Sequence, residues 1–461
     1  MVQSVQPTES KLKSLAEMDS KHYLHPTTIP KKHADQGPKV IFSEGSGIHV
    51  KDVSGKRYID GVSMLWNVNL GHGNKELAEA AQSQMSKLAF SSSFAGYSNE
   101  PAVHLAEKLS SLASGSLNSV FYTSGGSEAN DTAYKLARFY WQLQDQPRKQ
   151  KIIALKQAYH GVTIAAGTAT HLTGFHKFGG TQFEDVFHAT PHVTECEQGD
   201  KSHPSYKGCI RDIIESEGAD TVAAVILEPV QGSGGVHLPP DGYMESVRDL
   251  CDEHNVLMIA DEVITGFGRT GKMFGVDNWN VVPDLMCVAK GISSGYTQLG
   301  GVLLHDRIRN TIVQHDQMMA HGFTYSGHPA SCAVALKNIE IIERDHIVDN
   351  VKAMETEMNK GLQYLEEKHH TVTKTRNIGL MGGFELYEDP ATNKEFPFDL
   401  KAGLEVGEEC FKRQLILRAL GSADGKNVVA IAPPLIIQKQ EVQDMINIMD
   451  EAITAFEKKH R

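Results

Sequence analysis

The chain has 461 residues, of which 40% are hydrophobic and 22% charged, and its formal net charge is −12. This length and composition are ordinary for a globular protein with one large and one smaller domain, and the acidic balance argues against general binding to nucleic acid or anionic membranes. We find no run of about eighteen apolar residues and no pattern typical of a signal peptide. The six cysteines lack paired, metal-like spacing, which favours a reducing compartment, the cytoplasm.

The N-terminal part of the chain predicts a small sheet followed by a helix. Residues 40–59 alternate short apolar pieces with glycines, which indicates an antiparallel meander. Trp66 lies in the following Gly/Asn-rich stretch, where a tryptophan is commonly a core residue. Apolar residues at helical spacing predict a helix over 75–88, and a polar loop containing Phe94 comes after it.

Residues 119–122 predict a short strand, and the small residues Gly125, Gly126 and Ser127 connect it to a helix over about 127–142. Backbone N–H groups at such a helix start can bind an anion, and the helix dipole favours it. A plain helix cap explains the same residues. The spacing fits neither a Walker A loop nor a dinucleotide fingerprint.

Two further strands are predicted upstream of the central motif. The first, over 151–155, leads to Tyr159-His160-Gly161, and the second, over 222–227, ends at Glu228. Between them, residues 179–207 are polar and rich in histidine. These histidines lack ligand-like spacing, so we interpret the segment as a surface excursion without a metal site.

The centre of the chain places an acid and a lysine at the ends of two apolar runs. Residues 256–260 end in Asp261 and Glu262, and residues 285–289 end in Lys290. Since the ligands of open α/β sheets bind outside the carboxyl ends of the strands, both side chains should lie at the same edge. A lysine nucleophile and a carboxylate that can hold a pyridinium N–H are what a pyridoxal phosphate (PLP) site requires. Taken alone, such a pair is more often a surface feature.

Taken together, these motifs closely resemble the class III aminotransferases, of PLP fold type I. The match extends from about residue 25 to the Pro433-Pro434 region. The motifs that carry it are YHG at 159–161, EPVQG at 228–232, DEV at 261–263 with a Gly-rich loop after it, and AKG at 289–291. The fold implied is α/β, with a mostly parallel seven-stranded sheet in a large domain (74–335). A smaller α+β domain would comprise residues 1–73 and 336–461.

The resemblance implies that Lys290 attaches PLP and moves a proton, and that Asp261 holds the ring nitrogen. Further cofactor contacts are implied for Gly126, Ser127, Tyr159, Glu228, Val263 and Thr324. Thr324 would reach the cofactor of the other subunit, which makes the protein a homodimer with shared active sites; assembly into a tetramer is left open. A substrate pocket is implied for Trp66, Phe94, Tyr159 and Arg418.

The resemblance implies that an amino group is transferred from an ω-amino acid, taurine or a simple amine to a 2-oxo acid. Pyruvate is the expected 2-oxo acid. Arg418 lies in the local sequence LRALG, and the resemblance implies that it pairs with a substrate carboxylate. A lone arginine after a strand is otherwise usually a surface charge. The Gly-Gly pair at 125–126 resembles taurine–pyruvate aminotransferases. Relatives that favour bulky aromatic amines often have Phe where this chain has Thr27. The alternatives are an aminomutase, racemase or decarboxylase on the same fold, or a non-catalytic PLP-binding protein.

Overall fold

The computed structural model describes residues 9–178, 183–420 and 427–460. The helices of these residues are α1 (Glu9–His22), α2 (Pro30–Gln36), α3 (Ser63–Trp66), α4 (Lys75–Lys87), α5 (Glu100–Leu112), α6 (Gly126–Leu143), α7 (Ile164–Ala169), α8 (Thr173–His176), α9 (Thr194–Glu197), α10 (Ile210–Glu217), α11 (Tyr243–Glu253), α12 (Asp306–Gln314), α13 (Pro329–Arg344), α14 (Ile347–Lys368), α15 (Ala402–Lys412) and α16 (Lys439–Lys459).

The strands of the same residues are β1 (Phe42–Ser46), β2 (His49–Asp52), β3 (Arg57–Asp60), β4 (Ser119–Thr123), β5 (Lys151–Leu155), β6 (Val186–Ala189), β7 (Val222–Leu227), β8 (Leu257–Asp261), β9 (Leu285–Val288), β10 (Gly300–Leu304), β11 (Val372–Ile378), β12 (Met381–Asp389), β13 (Lys394–Glu395), β14 (Leu415–Ile416), β15 (Arg418–Leu420) and β16 (Asn427–Ile431).

A seven-stranded sheet forms the centre of the molecule, in the order β4-β10-β9-β8-β7-β5-β6. The strands from β9 to β6 pair in parallel, whereas β10 runs antiparallel to both of its neighbours. Strands β7, β8 and β9 are buried at every position, because helices cover both faces of the sheet. The predicted α/β fold with a mostly parallel seven-stranded sheet is confirmed.

Helix α6 packs along one face of this sheet through a stripe of residues with a period of four. Ala129, Ala133, Ala137 and Trp141 are all buried on it. Trp141 donates a hydrogen bond from Nε1 to the carbonyl oxygen of Ala223 at 2.8 Å, which satisfies its polar atom inside the core. The alanines let the helix approach the sheet closely, and its first turn therefore lies at the sheet edge.

Of the two smaller sheets, one contains strands from both ends of the chain and the other only strands from its C-terminal part. The order of the first is β1-β2-β3-β14, in which β14 from the C-terminal part pairs in parallel with β3. The second has the order β11-β12-β16-β15. This pairing joins the two terminal segments; the predicted domain limits remain predictions.

Two details of the sequence interpretation are wrong. Within the segment interpreted as a surface excursion, Val186–Ala189 forms the edge strand of the central sheet, paired in parallel with β5; residues 179–182 lie outside the described part. The apolar run over 379–386 predicts a strand, but that strand begins only at Met381, because Gly379 lies in the turn between β11 and β12. Its φ is +53°, and a Cβ there would lie 2.5 Å from the carbonyl oxygen of Arg269. Among the described residues, no helix is long and apolar enough to cross a bilayer.

Candidate active site

Three neighbouring parallel strands deliver polar side chains to one edge of the central sheet. Glu228 follows β7, Asp261 ends β8, and Lys290 comes shortly after β9. The pairings of β7 with β8 and of β8 with β9 place these residues side by side. All three line a cavity of about 470 Å³. Asp261 and Lys290 therefore lie at the same edge of the sheet, as predicted.

Lys290 occupies a strained backbone position at the floor of this cavity. Its φ is +45°, an uncommon value for a residue with a side chain. Burial lowers the pKa of its amine to about 8, because the charged form is poorly solvated there. The carboxylates of Asp261 and Glu228 oppose this shift, and Arg418 adds to it. A substantial fraction of the amine is therefore neutral near physiological pH.

Asp261 is 3% exposed and held by three hydrogen bonds. Its Oδ2 accepts from Nδ1 of His160 at 2.7 Å and from Nδ2 of Asn130 at 2.8 Å. Its Oδ1 accepts from the backbone N–H of Val263 at 3.1 Å. Asn130 also donates to the carbonyl oxygen of His160 at 2.7 Å, so the amide links the two residues. The carboxylate is consequently fixed in one orientation.

The first turn of α6 opens onto the same cavity through Gly126 and Ser127. Gly125 precedes the helix, and no side chain caps it. A Cβ on Gly126 would lie 2.9 Å from Cγ1 of Val263, which also lines the cavity. A Cβ on Gly161 would lie 2.3 Å from Oγ of Ser127 at a φ of +131°. Glycine at these two positions therefore keeps the helix start, the YHG turn and Val263 in close contact.

Glu228 supports the segment that carries Tyr159. Its Oε1 accepts from the backbone N–H of Tyr159 at 3.0 Å, and its Oε2 accepts from that of Gly232 at 2.8 Å. Burial raises the pKa of Glu228 to about 7. The ring of Tyr159 lies edge-on to Phe175, with centroids 5.4 Å apart. Tyr159 is thereby positioned at the cavity wall by the strand end beside it.

Arg418 reaches the cavity from β15 and Trp66 from the end of α3. Arg418 begins β15, where it pairs with Ala430, and its Nε is buried without a hydrogen-bond partner among the described residues. Burial lowers the pKa of its guanidinium, and Tyr159 opposes that shift. Trp66 is 1% exposed, so it is both a core residue and a wall of the cavity.

Phe94 and Thr324 do not line the cavity within the described part of their own chain. Both lie on exposed loops, and the Phe94 side chain is 51% exposed. The two loops contact each other: Oγ of Ser93 donates to the carbonyl oxygen of Ser326 at 2.6 Å, and a Cβ on Gly322 would lie 3.0 Å from the Phe94 ring. Within the described part of one chain both residues therefore lie outside the cavity, and their roles at the active site remain predictions.

Several residues that line the cavity were not among the predicted site residues, and four of them bear on its chemistry or shape. Asn130 lies one helical turn after Gly126, and this i,i+4 spacing was the signal that could have identified it. His160 is expected from the sequence to be structural or to act through another residue, and it contacts Asp261 directly. Pro26 and Thr27 line the cavity although they lie far from its other residues in the chain, and only the resemblance at position 27 pointed to them.

The residues present suit pyridoxal phosphate. The helix start at Gly126 offers backbone N–H groups without a side-chain cap, which fits a phosphate. Lys290 offers a partly neutral amine, and Asp261 a buried carboxylate that can accept a hydrogen bond from a ring N–H. The cavity also has room beyond a cofactor, with Arg418 beside it.

Comparison with known proteins agrees with the assignment of these residues to a pyridoxal phosphate site. Residues 31–453 match the family model described as "Aminotransferase class-III". The putrescine–pyruvate aminotransferase of Pseudomonas aeruginosa is 36% identical over 96% of both chains. The structure of a transaminase from the marine bacterium Virgibacillus superposes with a TM-score of 0.93, at 45% identity over 97% of this chain and 100% of the other. The ω-transaminase of Pseudomonas jessenii in complex with PMP gives a TM-score of 0.89, at 34% identity over 96% and 98%. This chain belongs to the class III aminotransferases, and pyridoxal phosphate is its cofactor.

Proposed function

We propose that the enzyme moves an amino group from an ω-amino acid, taurine or a simple amine to pyruvate in a ping-pong reaction. The observation that carries this proposal is the buried guanidinium of Arg418, whose Nε has no partner among the described residues and which lines the same cavity as Lys290. The relative from Pseudomonas aeruginosa is named for pyruvate, which supports this acceptor.

The cofactor would be held by the groups that converge on the cavity. Bound pyridoxal phosphate supplies an electron sink for the carbon that loses or gains the amino group. The first turn of α6 at Gly126 and Ser127 binds its phosphate, and Tyr159 covers its ring. Asp261 accepts the hydrogen bond of its ring nitrogen, with Glu228 and Val263 completing the contacts.

Lys290 would attach the cofactor between turnovers and act as the base and acid of the reaction. Its Nζ would accept the proton of the substrate carbon that bears the amino group and would hold that proton for its later return. This role requires a neutral amine, and the lowered pKa of about 8 provides one near physiological pH. Lys290 has a positive φ, and its side chain lines the cavity.

Arg418 would bind the carboxylate of pyruvate or the anionic end of an ω-amino acid or taurine. A planar guanidinium can donate two parallel hydrogen bonds to such a group, which an ammonium cannot. Thr27 and Trp66 both line the cavity. Thr27 stands where relatives that favour bulky aromatic amines often have Phe, so this part of the wall offers no aromatic face for such a donor to pack against, which favours small or flexible donors.

The working unit would be a homodimer in which Phe94 and Thr324 complete the partner's site. Apolar side chains are exposed around these two loops, with Phe90 at 45%, Tyr97 at 71% and Tyr325 at 60%, and the rings of Phe90 and Tyr325 lie 6.1 Å apart. Such exposure over one region is typical of a surface that another chain covers. The contact between the two loops allows both to be positioned by one interface.

The visible spectrum of the purified enzyme tests this proposal. Addition of putrescine or taurine without an acceptor should bleach the yellow colour, and pyruvate should restore it. Bleaching that 2-oxoglutarate reverses but pyruvate does not would assign a different acceptor. A yellow protein that no amine or ω-amino acid bleaches would contradict the proposed donors.

A further inference from the structure

Three side chains near the N-terminus converge on one point outside the catalytic residues. Nε2 of His25 lies 3.0 Å and Nε2 of His33 lies 2.7 Å from Oδ1 of Asp19. One ligand atom from each residue lies within 4.8 Å of the other two. The side chains are partly buried, with exposures of 16% for Asp19, 27% for His25 and 10% for His33. We call these residues the Asp19 cluster.

The residues of the Asp19 cluster come from three different pieces of backbone. Asp19 lies in α1, His25 follows that helix, and His33 lies in α2. The rings are held in place, since His25 lies 4.1 Å from the Tyr23 ring and 4.5 Å from the His33 ring between centroids. The three donors therefore converge through the fold and not through sequence spacing.

Two imidazoles and a carboxylate are a donor set for first-row transition metals rather than for Mg²⁺ or Ca²⁺, which prefer oxygen. Metal–ligand bonds of about 2.0–2.1 Å place adjacent ligand atoms about 2.9 Å apart at the right angles of a square-planar or octahedral site, and about 3.3–3.4 Å apart at the tetrahedral angle of Zn²⁺. The two Nε2–Oδ1 separations of 3.0 and 2.7 Å, now hydrogen bonds, are close to the right-angle value. An ion such as Ni²⁺ would therefore need shifts of about a few tenths of an ångström, and tetrahedral Zn²⁺ somewhat larger ones.

We propose that the Asp19 cluster binds one divalent transition-metal ion, such as Zn²⁺ or Ni²⁺, and that the ion clamps the segment between α1 and α2. Pro26 and Thr27, which follow His25 directly, line the active-site cavity. The ion therefore fixes a wall of that cavity from outside it. With three protein ligands, water fills the remaining coordination positions.

Equilibrium dialysis of the full-length holoenzyme against Zn²⁺ and Ni²⁺ tests the site directly. We expect about one saturable ion per chain, and a loss of at least about tenfold in affinity for His25→Gln and for His33→Gln. The matched control is His22→Gln, because His22 is exposed at the end of α1 and is not part of the Asp19 cluster. The control should bind like the native chain. No saturable binding below about 0.1 mM would overturn the proposal, as would binding that survives both substitutions.

Limited trypsin digestion of the native holoenzyme gives a second readout that needs no variant. Lys31 and Lys32 lie between the two histidine ligands. Bound metal should slow cleavage after these lysines at least about threefold, because cleavage requires local opening of the clamped segment. Equal cleavage rates with metal and with chelator would overturn the clamp, even if a variant failed to fold.

Discussion

A hydrogen bond of 2.7 Å joins Nδ1 of His160 to Oδ2 of Asp261 inside the active site. A carboxylate only accepts, so Nδ1 carries the proton and donates it. The remaining nitrogen, Nε2, is buried without a partner among the described residues. His160 therefore serves the orientation of Asp261 and not an exchange of protons with solvent.

The substitution His160→Leu removes this hydrogen bond. A hydrogen bond to a charged group contributes about 1.5–3 kcal/mol, so kcat should fall by about 10- to 150-fold. His160→Asn is the matched control, since its amide nitrogen can occupy the position of Nδ1 and should restore much of the rate. Steady-state kinetics with a saturating amine measure both. Equal rates for the leucine and asparagine variants would contradict the role.

Replacement of Arg418 by leucine should separate substrates by charge. We expect kcat/KM for pyruvate to fall by about 10- to 100-fold, because two charge-assisted hydrogen bonds are lost. The rate constant with which an amine that carries no carboxylate bleaches the cofactor should change little. Arg418→Lys keeps the charge but loses the planar pair of donors, so its kcat/KM for pyruvate should lie between the values of the native enzyme and the leucine variant. An equal loss for amines and for pyruvate would instead indicate a structural defect.

The pH dependence of kcat should follow the amine of Lys290. Its neutral form is the base, and the pKa is lowered to about 8, so the neutral fraction rises as pH increases through 8. Below that value kcat should lose about tenfold per pH unit. A donor deuterated at the carbon that loses its proton should show a primary isotope effect along this limb, which identifies the step. A flat profile between pH 7 and 9 would rule out this assignment.

Mixed dimers test whether Thr324 acts across the interface. Lys290→Ala and Thr324→Arg should each be inactive alone. Unfolded together and refolded, they form mixed dimers in which one site combines the native Lys290 with the native Thr324 of the other chain. About a quarter of the native activity should return if partners pair at random. Recovery would fail if Thr324 served its own chain.

Much of the central sheet could be predicted because its strands are short, continuous apolar runs with abrupt polar ends. Strands β7, β8 and β9 are of this kind, and they carry Glu228, Asp261 and Lys290. Strand β6 was missed because four residues at a sheet edge, within a polar segment, carry little pattern. The start of β12 was predicted two residues early because Gly379 and Leu380, which form the turn after β11, continue the apolar run of the strand.

The parts of the site that depend on distant contacts could not be predicted from local pattern. Pro26 and Thr27 reach the cavity through tertiary packing alone. The convergence of His25 and His33 on Asp19 has the same origin, since no regular spacing relates the three. By contrast, Asn130 follows Gly126 by one helical turn, and this relation could be seen in the sequence.

The hydroxyl of Ser63 donates to the carbonyl oxygen of Ala432 at 2.7 Å, across 369 positions of the chain. Nearby, β14 completes the sheet that the meander begins. Contacts between residues so far apart in the sequence cannot form until the C-terminal part has left the ribosome. The part of the cavity wall that contains Trp66 is therefore assembled last. Newly made chains would thus hold an unfinished cavity until synthesis ends, and a chain truncated before β14 would retain the central sheet without a closed site.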